Sequence, residues 1–274
     1  MSVELDIASL ANALQEAAAV EILPRFRNLG EGDVRVKTEA IDLVTEADEA
    51  AERLIRARVA EFMPGALFVG EEAVAADPSL LEKLGDADLA VVVDPIDGTY
   101  NFAAGLPLFG VMLSVVSKGE TVAGIIFDPM GNDWVIAEKG SGAWLCSADG
   151  SQTQLQVVPA PELSQMVGIA NTGYFEVETR RRLLNNLADV RLFTSYRCAA
   201  HEYRIFCGGH MHFLMYNKLM PWDHLAGTLI SQEAGAYAAR FDGSPYLPNH
   251  VSGGLLLAPD KETWTVLREK IFTV

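Results

Sequence analysis

Asp94-Pro95-Ile96-Asp97-Gly98-Thr99 follows directly after the apolar run Leu89-Ala90-Val91-Val92-Val93. A run rich in β-branched residues that is closed by Asp and Pro predicts a buried strand ending in a turn. Pro95 fixes its own φ, and Gly98 supplies the backbone freedom that a sharp reversal requires. The two carboxylates and the Ile96 carbonyl could then converge on one point, where such oxygen ligands suit a hard cation such as Mg²⁺.

An Asp-Gly pair such as Asp97-Gly98 is also common in solvated turns. The sequence that follows favours the metal site, because no charged residue occurs from Gly98 to Ser117. Two carboxylates beside so apolar a region are costly unless they are paired or bind a metal. The length of this uncharged stretch raises the question of a membrane span. Its Asn, Gly and Pro residues argue against a span and predict a turn, a short covered loop and a buried strand from Val111 to Val116.

Composition favours a globular protein with a sizeable core. The chain has 274 residues, of which half are hydrophobic and about a fifth charged, enough for one large domain or two closely packed halves. Asp and Glu number 37 against 21 Lys and Arg, and the net charge is −16. This charge argues against a nucleic-acid polymer or a membrane as partner, since either would require a basic face. It still allows an anionic substrate, because a bound divalent cation reverses the local field.

Cysteine usage and the N-terminus indicate a cytoplasmic protein. Cys146, Cys198 and Cys207 are odd in number and lack the spacing of zinc ligands, so we expect reduced thiols. The chain does not begin with a positive segment, an apolar core and a cleavage site, and no secretion signal is predicted.

Two further aspartates have both a structural and a functional interpretation. Thr45-Glu46-Ala47-Asp48 opens a predicted helix, and its spacing approximates a capping box in which Asp48 bonds the first amides of the helix. Pro221-Trp222-Asp223 introduces another predicted helix, from about His224 to Ala234. Asp223 would lie at the first turn of that helix, where the dipole alone favours a negative charge.

Glu71 lies at the end of a second predicted strand, Leu67-Phe68-Val69. Adjacent glutamates such as Glu71-Glu72 are usually solvated. A glutamate at a strand end is also placed to reach a metal held by a neighbouring strand end, because open α/β sheets collect ligands there.

Beyond about residue 150 predicted strands and helices alternate, which indicates α/β layering rather than a β-sandwich. An amphipathic helix is predicted from Leu5 to about Asn28, bent or ended near Pro24, and it could pack against a second subunit. Around residue 150 the sequence becomes polar. We therefore expect two halves packed as one unit, 1–147 with most metal ligands and 148–274 with Asp223 and the leaving-group contacts.

Three blocks of the chain together resemble the inositol monophosphatase family, which belongs to the magnesium-dependent, lithium-sensitive sugar phosphatases. They are Gly70-Glu71-Glu72, Asp94 to Phe102, and Trp222-Asp223-His224-Leu225-Ala226-Gly227. Lys37, Thr45 and Asp48 also lie where an early family motif places them. The resemblance runs from Lys37 to at least Gly235, in the order of the family. It implies a five-layered α-β-α-β-α sandwich, commonly a homodimer.

The resemblance also implies a metal site, carried over residue by residue. Glu71, Asp94 and the Ile96 carbonyl would hold one Mg²⁺, and Asp94, Asp97 and Asp223 a second. A third, weaker Mg²⁺ would lie near Glu71.

Catalytic and phosphate-binding roles follow from the same resemblance. Asp48 and Thr99 would form a hydrogen-bonded pair beside the nucleophilic water, whose proton Glu71 and this pair would manage. The Gly98-Thr99 amides would receive the phosphate, and Lys37 would contact the substrate. Two metals that share a carboxylate would lower the pKa of bound water and stabilise the leaving alkoxide.

The chain departs from the inositol-specific members where they contact the sugar ring. Those members have a small-residue run after the Arg at position 197, whereas Arg197 is followed here by Cys198-Ala199-Ala200-His201-Glu202. Their ring-binding glutamate, seven residues before Asp223, is replaced by Tyr216. Glu202, Tyr216 and Lys218 therefore become candidates for contacting the leaving group.

The sequence thus predicts a Mg²⁺-dependent phosphomonoesterase acting on a small phosphorylated alcohol, with inositol-1-phosphate as the first expectation. Family alternatives are histidinol phosphate, fructose 1,6-bisphosphate and 3′-phosphoadenosine 5′-phosphate. A hypothesis from another class is a non-catalytic relative that binds metal and uses its N-terminal helix for partner contact; the full ligand set argues against it.

Overall fold

The computed structural model describes residues 5–274. In this part of the chain the helices are α1 Ile7–Ala17, α2 Glu46–Phe62, α3 Glu71–Ala76, α4 Ser79–Leu84, α5 Thr99–Ala103, α6 Val177–Asn186, α7 Ala199–Cys207, α8 Pro221–Glu233 and α9 Lys261–Lys270. The strands are β1 Val34–Val36, β2 Leu43–Thr45, β3 Leu67–Gly70, β4 Leu89–Asp97, β5 Gly110–Ser117, β6 Glu120–Asp128, β7 Asp133–Glu138, β8 Ala143–Ser147, β9 Gln152–Leu155, β10 Val167–Ala170, β11 Leu192–Thr194, β12 Phe213–Tyr216, β13 Tyr237–Arg240 and β14 Leu255–Ala258.

The larger sheet has seven strands in the order β3-β4-β5-β6-β7-β8-β9. Only its first pair, β3 with β4, is parallel; the others are antiparallel neighbours along the chain. Short connections permit this meander, and Lys118-Gly119 forms the hairpin turn between β5 and β6, with both residues at positive φ.

The smaller sheet has five strands in the order β11-β10-β12-β14-β13. Strand β10 pairs in parallel with β11 and β12, whereas β14 pairs antiparallel with β12 and β13. A separate antiparallel ribbon of β1 and β2 precedes α2.

The central strands of both sheets are buried on both faces, and this arrangement produces five layers. Helices α1 and α2 cover one face of the larger sheet, where Leu14 and Ile55 join Val91 in one apolar core. Helices α7 and α8 lie between the sheets, in a second core that includes Leu214 of β12. The next residue, Met215, points to the opposite face and joins a third core with α6 and α9. The predicted α-β-α-β-α sandwich is confirmed.

Several boundaries differ from the sequence expectations. The N-terminal helix changes at Ala18–Ile22 to a π-helical segment and then to a 3₁₀ turn that contains Pro24, so the predicted bend is present. Strand β13 was not expected, because Tyr237-Ala238-Ala239-Arg240 has no alternating pattern. The polar segment near residue 150 is the turn between β8 and β9, so the larger sheet continues to Leu155. The division at 147/148 stays a prediction.

All three cysteines carry free thiols, and Cys198 and Cys207 are buried. In residues 5–274, no helix combines the length and apolar character that crossing a bilayer requires.

Candidate metal centre and active site

Strand β4 carries three of the predicted ligands at its end, the Asp94 and Asp97 carboxylates and the Ile96 carbonyl. The strand continues through Pro95 to Asp97, with irregular register against β5 between Asp94 and Asp97. The predicted turn therefore starts later than expected, at Gly98, whose φ is +87°. Proline is tolerated at such an irregularity because its missing N–H has no ladder partner to lose. Gly98 is required for space as well, since a Cβ there would lie 2.9 Å from the Leu108 carbonyl oxygen.

Helix α8 brings the third carboxylate to the same place. Trp222 is buried in an apolar cluster with Val69 and Val92, which packs the first turn of α8 against β3 and β4. The next residue, Asp223, thereby joins Asp94 and Asp97, and one carboxylate oxygen from each of the three lies within 4.8 Å of the others. The predicted long-range meeting of these aspartates is therefore present in the structure.

Electrostatics at this cluster favour a bound cation. Burial and the charges of its carboxylate neighbours raise the pKa of Asp94 well above its ordinary value. Burial also raises the pKa of Asp97, and burial with the charges of Asp97 and Glu71 raises that of Asp223. Three crowded carboxylates repel one another unless protons or a cation compensate them. Their oxygen donors fit Mg²⁺, which prefers hard ligands.

Helix α7 fixes the orientation of Asp97. Its Oδ2 accepts a hydrogen bond from the Ala200 amide at 2.5 Å and one from the Cys198 thiol at 3.0 Å. Hydrogen bonds to this one oxygen leave Oδ1 available for a cation.

Glu71 lies outside the group of three aspartates but lines the same cleft. It is the first residue of α3, directly after β3, as the sequence predicts. Its Oε1 accepts from Lys37 Nζ at 2.8 Å, and Lys37 also donates to Glu72 at 2.6 Å. Burial lowers the pKa of Lys37, but these two carboxylates outweigh burial and raise it. Lys37 is thus paired with the metal-ligand candidate rather than free in the cleft.

Glu52 positions the start of α3 and was missed by sequence reasoning. Its buried carboxylate accepts from the amides of Glu72 and Ala73, both at 2.8 Å. A Cβ at Gly70 would lie 2.3 Å from this carboxylate, so the glycine permits the contact. A glutamate in mid-helix carries no sequence signal for such a role.

Asp48 makes both of the contacts considered for it, the helix cap and the pair with Thr99. Its Oδ2 completes the capping box of α2 by accepting from the Thr45 amide at 2.8 Å and the Thr45 hydroxyl at 2.5 Å. Its Oδ1 lies 3.0 Å from Thr99 Oγ1, which is also 2.9 Å from the Ile96 carbonyl oxygen. Burial, opposed by the Thr45 hydrogen bonds and supported by the charge of Glu71, raises the pKa of Asp48 to about 7.

A cleft of about 440 Å³ lies above the acidic cluster, within the range of small-molecule sites. Glu202, Tyr216 and Lys218 all line it. Glu202 is 1% exposed, and burial raises its pKa to about 7. The Tyr216 hydroxyl is buried without a hydrogen-bond partner in residues 5–274. Lys218 is exposed, with its Nζ 5.6 Å from the centre of the Tyr174 ring.

His224 links the metal-bearing helix to the loop before it. Its Nε2 lies 2.9 Å from the Lys218 carbonyl oxygen, and its Nδ1 lies 3.1 Å from the Tyr203 hydroxyl. Since a carbonyl only accepts, Nε2 carries the proton and Nδ1 accepts from Tyr203. Burial lowers the pKa of His224 to about 4, so the ring is neutral.

A five-layered fold with an acidic cleft between its two sheets defines a class of metal-dependent phosphatases, and the comparisons agree. The profile of the inositol monophosphatase family matches residues 5–271, and the chain belongs to this family.

Sequence similarity to named relatives covers most of the chain. The fructose-1,6-bisphosphatase/inositol-1-monophosphatase of Thermotoga maritima is 32% identical over 77% of this chain and 76% of its own length. The inositol-1-monophosphatase of Mesorhizobium japonicum is 31% identical over 74% of this chain and 73% of its own. Among solved structures, a Thermotoga maritima IMPase superposes with a TM-score of 0.80 and 25% identity, covering 97% of this chain and 98% of that one.

Proposed function

We propose that this protein is a Mg²⁺-dependent phosphomonoesterase that hydrolyses a small phosphorylated alcohol. One observation carries the proposal, the convergence of Asp94, Asp97 and Asp223 to within 4.8 Å at the floor of an open cleft. Membership of the inositol monophosphatase family supports it.

Five ligands would hold the metal ions, which we expect to number two, with a weaker third near Glu71. They are Glu71, Asp94, the Ile96 carbonyl, Asp97 and Asp223. When bound, Mg²⁺ neutralises phosphoryl charge and lowers the pKa of a coordinated water. On binding metal, Glu71 would give up part of its ion pair with Lys37. The Lys37 ammonium would then be available to the anionic substrate.

The Thr99–Asp48 pair is suited to remove a proton from the attacking water. Thr99 Oγ1 accepts the proton of the water while its own proton passes to Asp48 Oδ1, 3.0 Å away. A carboxylate with a pKa of about 7 accepts that proton near neutral pH and returns it later. Glu71 is the second proton acceptor. The Gly98 and Thr99 amides, at the start of α5, would bind the phosphoryl oxygens because the first amides of a helix have no intrahelical acceptors.

The names of the relatives and three residues of the cleft guide the choice of the alcohol part of the substrate. Inositol-1-phosphate is the first expectation, because close relatives are named inositol-1-monophosphatases. The bifunctional name of the Thermotoga maritima relative favours fructose 1,6-bisphosphate as the alternative; histidinol phosphate and 3′-phosphoadenosine 5′-phosphate stay as further family alternatives. Glu202, Tyr216 and Lys218 would contact the alcohol, and Tyr216 occupies the place of the ring-binding glutamate.

Phosphate release from these four substrates, with and without Mg²⁺, tests the proposal. We expect Mg²⁺-dependent turnover of at least one substrate, its loss in Asp94→Asn, and its retention in Asp242→Asn, which alters an exposed aspartate. Turnover that persists without Mg²⁺ or in the Asp94 variant would contradict the assignment. Metal binding with no turnover of any substrate would instead favour the hypothesis that the chain is a non-catalytic, metal-binding interaction protein.

Three further properties belong to the same proposal. We propose inhibition by millimolar Li⁺ and assembly as a homodimer, both from family resemblance, and a cytoplasmic location, from the free thiols. Enzyme assays with Li⁺ and light scattering on the purified protein test the first two.

A further inference from the structure

The cleft above the acidic cluster contains two cations without a carboxylate partner. Arg197 and Lys218 both line the cleft, and within residues 5–274 neither forms an ion pair with Asp or Glu. In a chain with a net charge of −16, cations that face a substrate cleft without a partner are available to an anion.

Arg197 has a backbone conformation that is unusual for its residue type. Its φ is +55°, in the left-handed region that favours glycine. Its guanidinium carbon lies 3.5 Å from the centre of the Tyr100 ring. Tyr100 follows Thr99 in α5, so the guanidinium is held next to the segment that we propose for phosphate binding.

The loop that carries Arg197 is fixed by hydrogen bonds on both sides. Glu202 accepts from the Tyr196 amide at 2.7 Å, and Asn101 Nδ2 donates to the Tyr196 carbonyl at 2.8 Å. The Arg197 amide donates to Ser195 Oγ at 3.2 Å. A left-handed non-glycine residue persists only where its surroundings determine it, and such residues cluster at ligand sites.

This geometry suits recognition of a second anion. Stacking on Tyr100 uses the face of the guanidinium and leaves the N–H donors in its plane, which match phosphate or carboxylate in pairs. The fixed loop means that little further ordering is needed on binding. We infer that Arg197, with Lys218 as a more flexible second cation, forms a subsite for an additional anionic group of the substrate. The preferred substrate is then a phosphorylated alcohol that also carries a second phosphate or a carboxylate. This inference rests on the proposed function for the position of the first phosphate.

Equilibrium binding tests the subsite without relying on turnover. Isothermal titration with Ca²⁺ in place of Mg²⁺ compares two matched pairs, fructose 6-phosphate with fructose 1,6-bisphosphate and glycerol 2-phosphate with 2-phosphoglycerate. The first pair probes a second phosphate and the second pair a carboxylate. The variant is Arg197→Gly, since glycine suits the φ of +55° and removes the guanidinium without strain. Arg181→Ala removes an exposed arginine on α6 as the control.

We expect at least one doubly anionic ligand to bind the wild-type protein tenfold or more tightly than its partner. Arg197→Gly should reduce that ratio to within about threefold of unity, whereas Arg181→Ala should preserve it. An equal loss of affinity for both members of each pair would overturn the subsite, because the guanidinium would then serve the first phosphate. A wild-type ratio near unity in both pairs would overturn it as well.

Phosphate release by the same proteins with Mg²⁺ separates the two proposals. If no phosphate ester is hydrolysed but the binding ratio depends on Arg197, the proposed function fails and the subsite stands. If esters are hydrolysed and the ratio does not depend on Arg197, the subsite fails and the proposed function stands.

Discussion

Thr99 Oγ1 and Asp48 Oδ1 lie 3.0 Å apart, although the two residues are 51 positions apart in the chain. The contact joins the first turn of α2 to the segment that follows β4. Because the other oxygen of Asp48 is held by Thr45, the carboxylate cannot rotate away from Thr99 without losing the helix cap. The Asp48 side chain therefore contributes both to the stability of α2 and to the orientation of Thr99, a candidate catalytic residue.

Removal of the Thr99 hydroxyl should reduce turnover far more than substrate binding. Thr99→Val keeps the shape of the side chain but breaks the path from water to Asp48. We expect kcat to fall about 100-fold or more, the usual range for losing proton transfer, with KM changed less than about threefold. Thr99→Ser keeps a hydroxyl and should restore most of the rate. Steady-state kinetics on the best substrate measure both parameters.

The control for this variant must lose comparable stability elsewhere. Asp260 caps α9 by accepting from the Thr263 amide at 2.7 Å, and Asp260→Ala should cost about 1 kcal/mol of unfolding free energy. Its kcat should match the wild type. A similar fall in kcat for both variants would mean that Thr99 acts only through stability.

Removal of Asp223 should abolish the stabilisation by metal and should stabilise the metal-free protein. Mg²⁺ at 100 times its Kd should stabilise the wild-type protein by about 2.7 kcal/mol and raise its Tm. Asp223→Asn should lose this response. In metal-free buffer it should melt above the wild type, because one of three mutually repelling carboxylates is gone. Thermal unfolding with EDTA and with Mg²⁺ measures both effects, and Asp242→Asn should behave like the wild type.

The local part of the site could be predicted from the sequence. Asp94, Ile96 and Asp97 lie in one stretch, so their proximity follows from strand and turn chemistry alone. Asp223 was placed with them only through family resemblance, because a first-turn aspartate has a sufficient structural explanation in the helix dipole. What brings it there is burial of Trp222 against β3 and β4, a long-range contact that no local pattern encodes.

The parts that were not predicted depend on tertiary contacts. The carboxylate of Glu52 binds the first amides of α3, yet its sequence position is that of any helical glutamate. Helix α5 has five residues, too short for helical periodicity to be detected. Strand β4 continues through Pro95, against the usual rule, because the ladder with β3 has already ended at the Gly70–Val93 pair.

Acid should destabilise the protein through His224. The folded-state pKa of about 4 lies below the unfolded value of about 6.5, so the unfolded state binds more protons between these values. The cost is absent above pH 6.5, grows as the pH falls, and is complete below pH 4. At about pH 5 it should reach roughly 2 kcal/mol.

Urea unfolding of the wild type and of His224→Gln at about pH 7.5 and pH 5 isolates this contribution. Glutamine does not titrate, and its amide can still donate to the Lys218 carbonyl. On acidification the wild type should lose roughly 2 kcal/mol more unfolding free energy than the variant. Both proteins contain the same titrating carboxylates, so the contribution of these groups cancels in the comparison. Identical losses in the two proteins would show that His224 is protonated in the folded state.

Gly227, in the middle of α8, should tolerate no side chain. A Cβ there would lie 2.1 Å from the Tyr203 ring, and this ring is fully buried and hydrogen-bonded to His224. Gly227→Ala gains up to about 1 kcal/mol in helix propensity. We expect overpacking to exceed that gain and leave a net loss of about 2 kcal/mol. Separation of α8 from α7 would also displace Asp223, so the Mg²⁺-induced rise in Tm should shrink.

The matched control for Gly227 is Gly85, which has helical backbone angles of −65° and −29°. A Cβ at Gly85 would meet Asn249 at 3.4 Å, an ordinary contact distance. Gly85→Ala should therefore be neutral or stabilise by up to about 1 kcal/mol, through the lower entropy of its unfolded chain. Urea unfolding of both variants gives the comparison. Equal stability of the two would mean that α7 and α8 can separate without cost, and the tight packing that positions Asp223 would then have no energetic role.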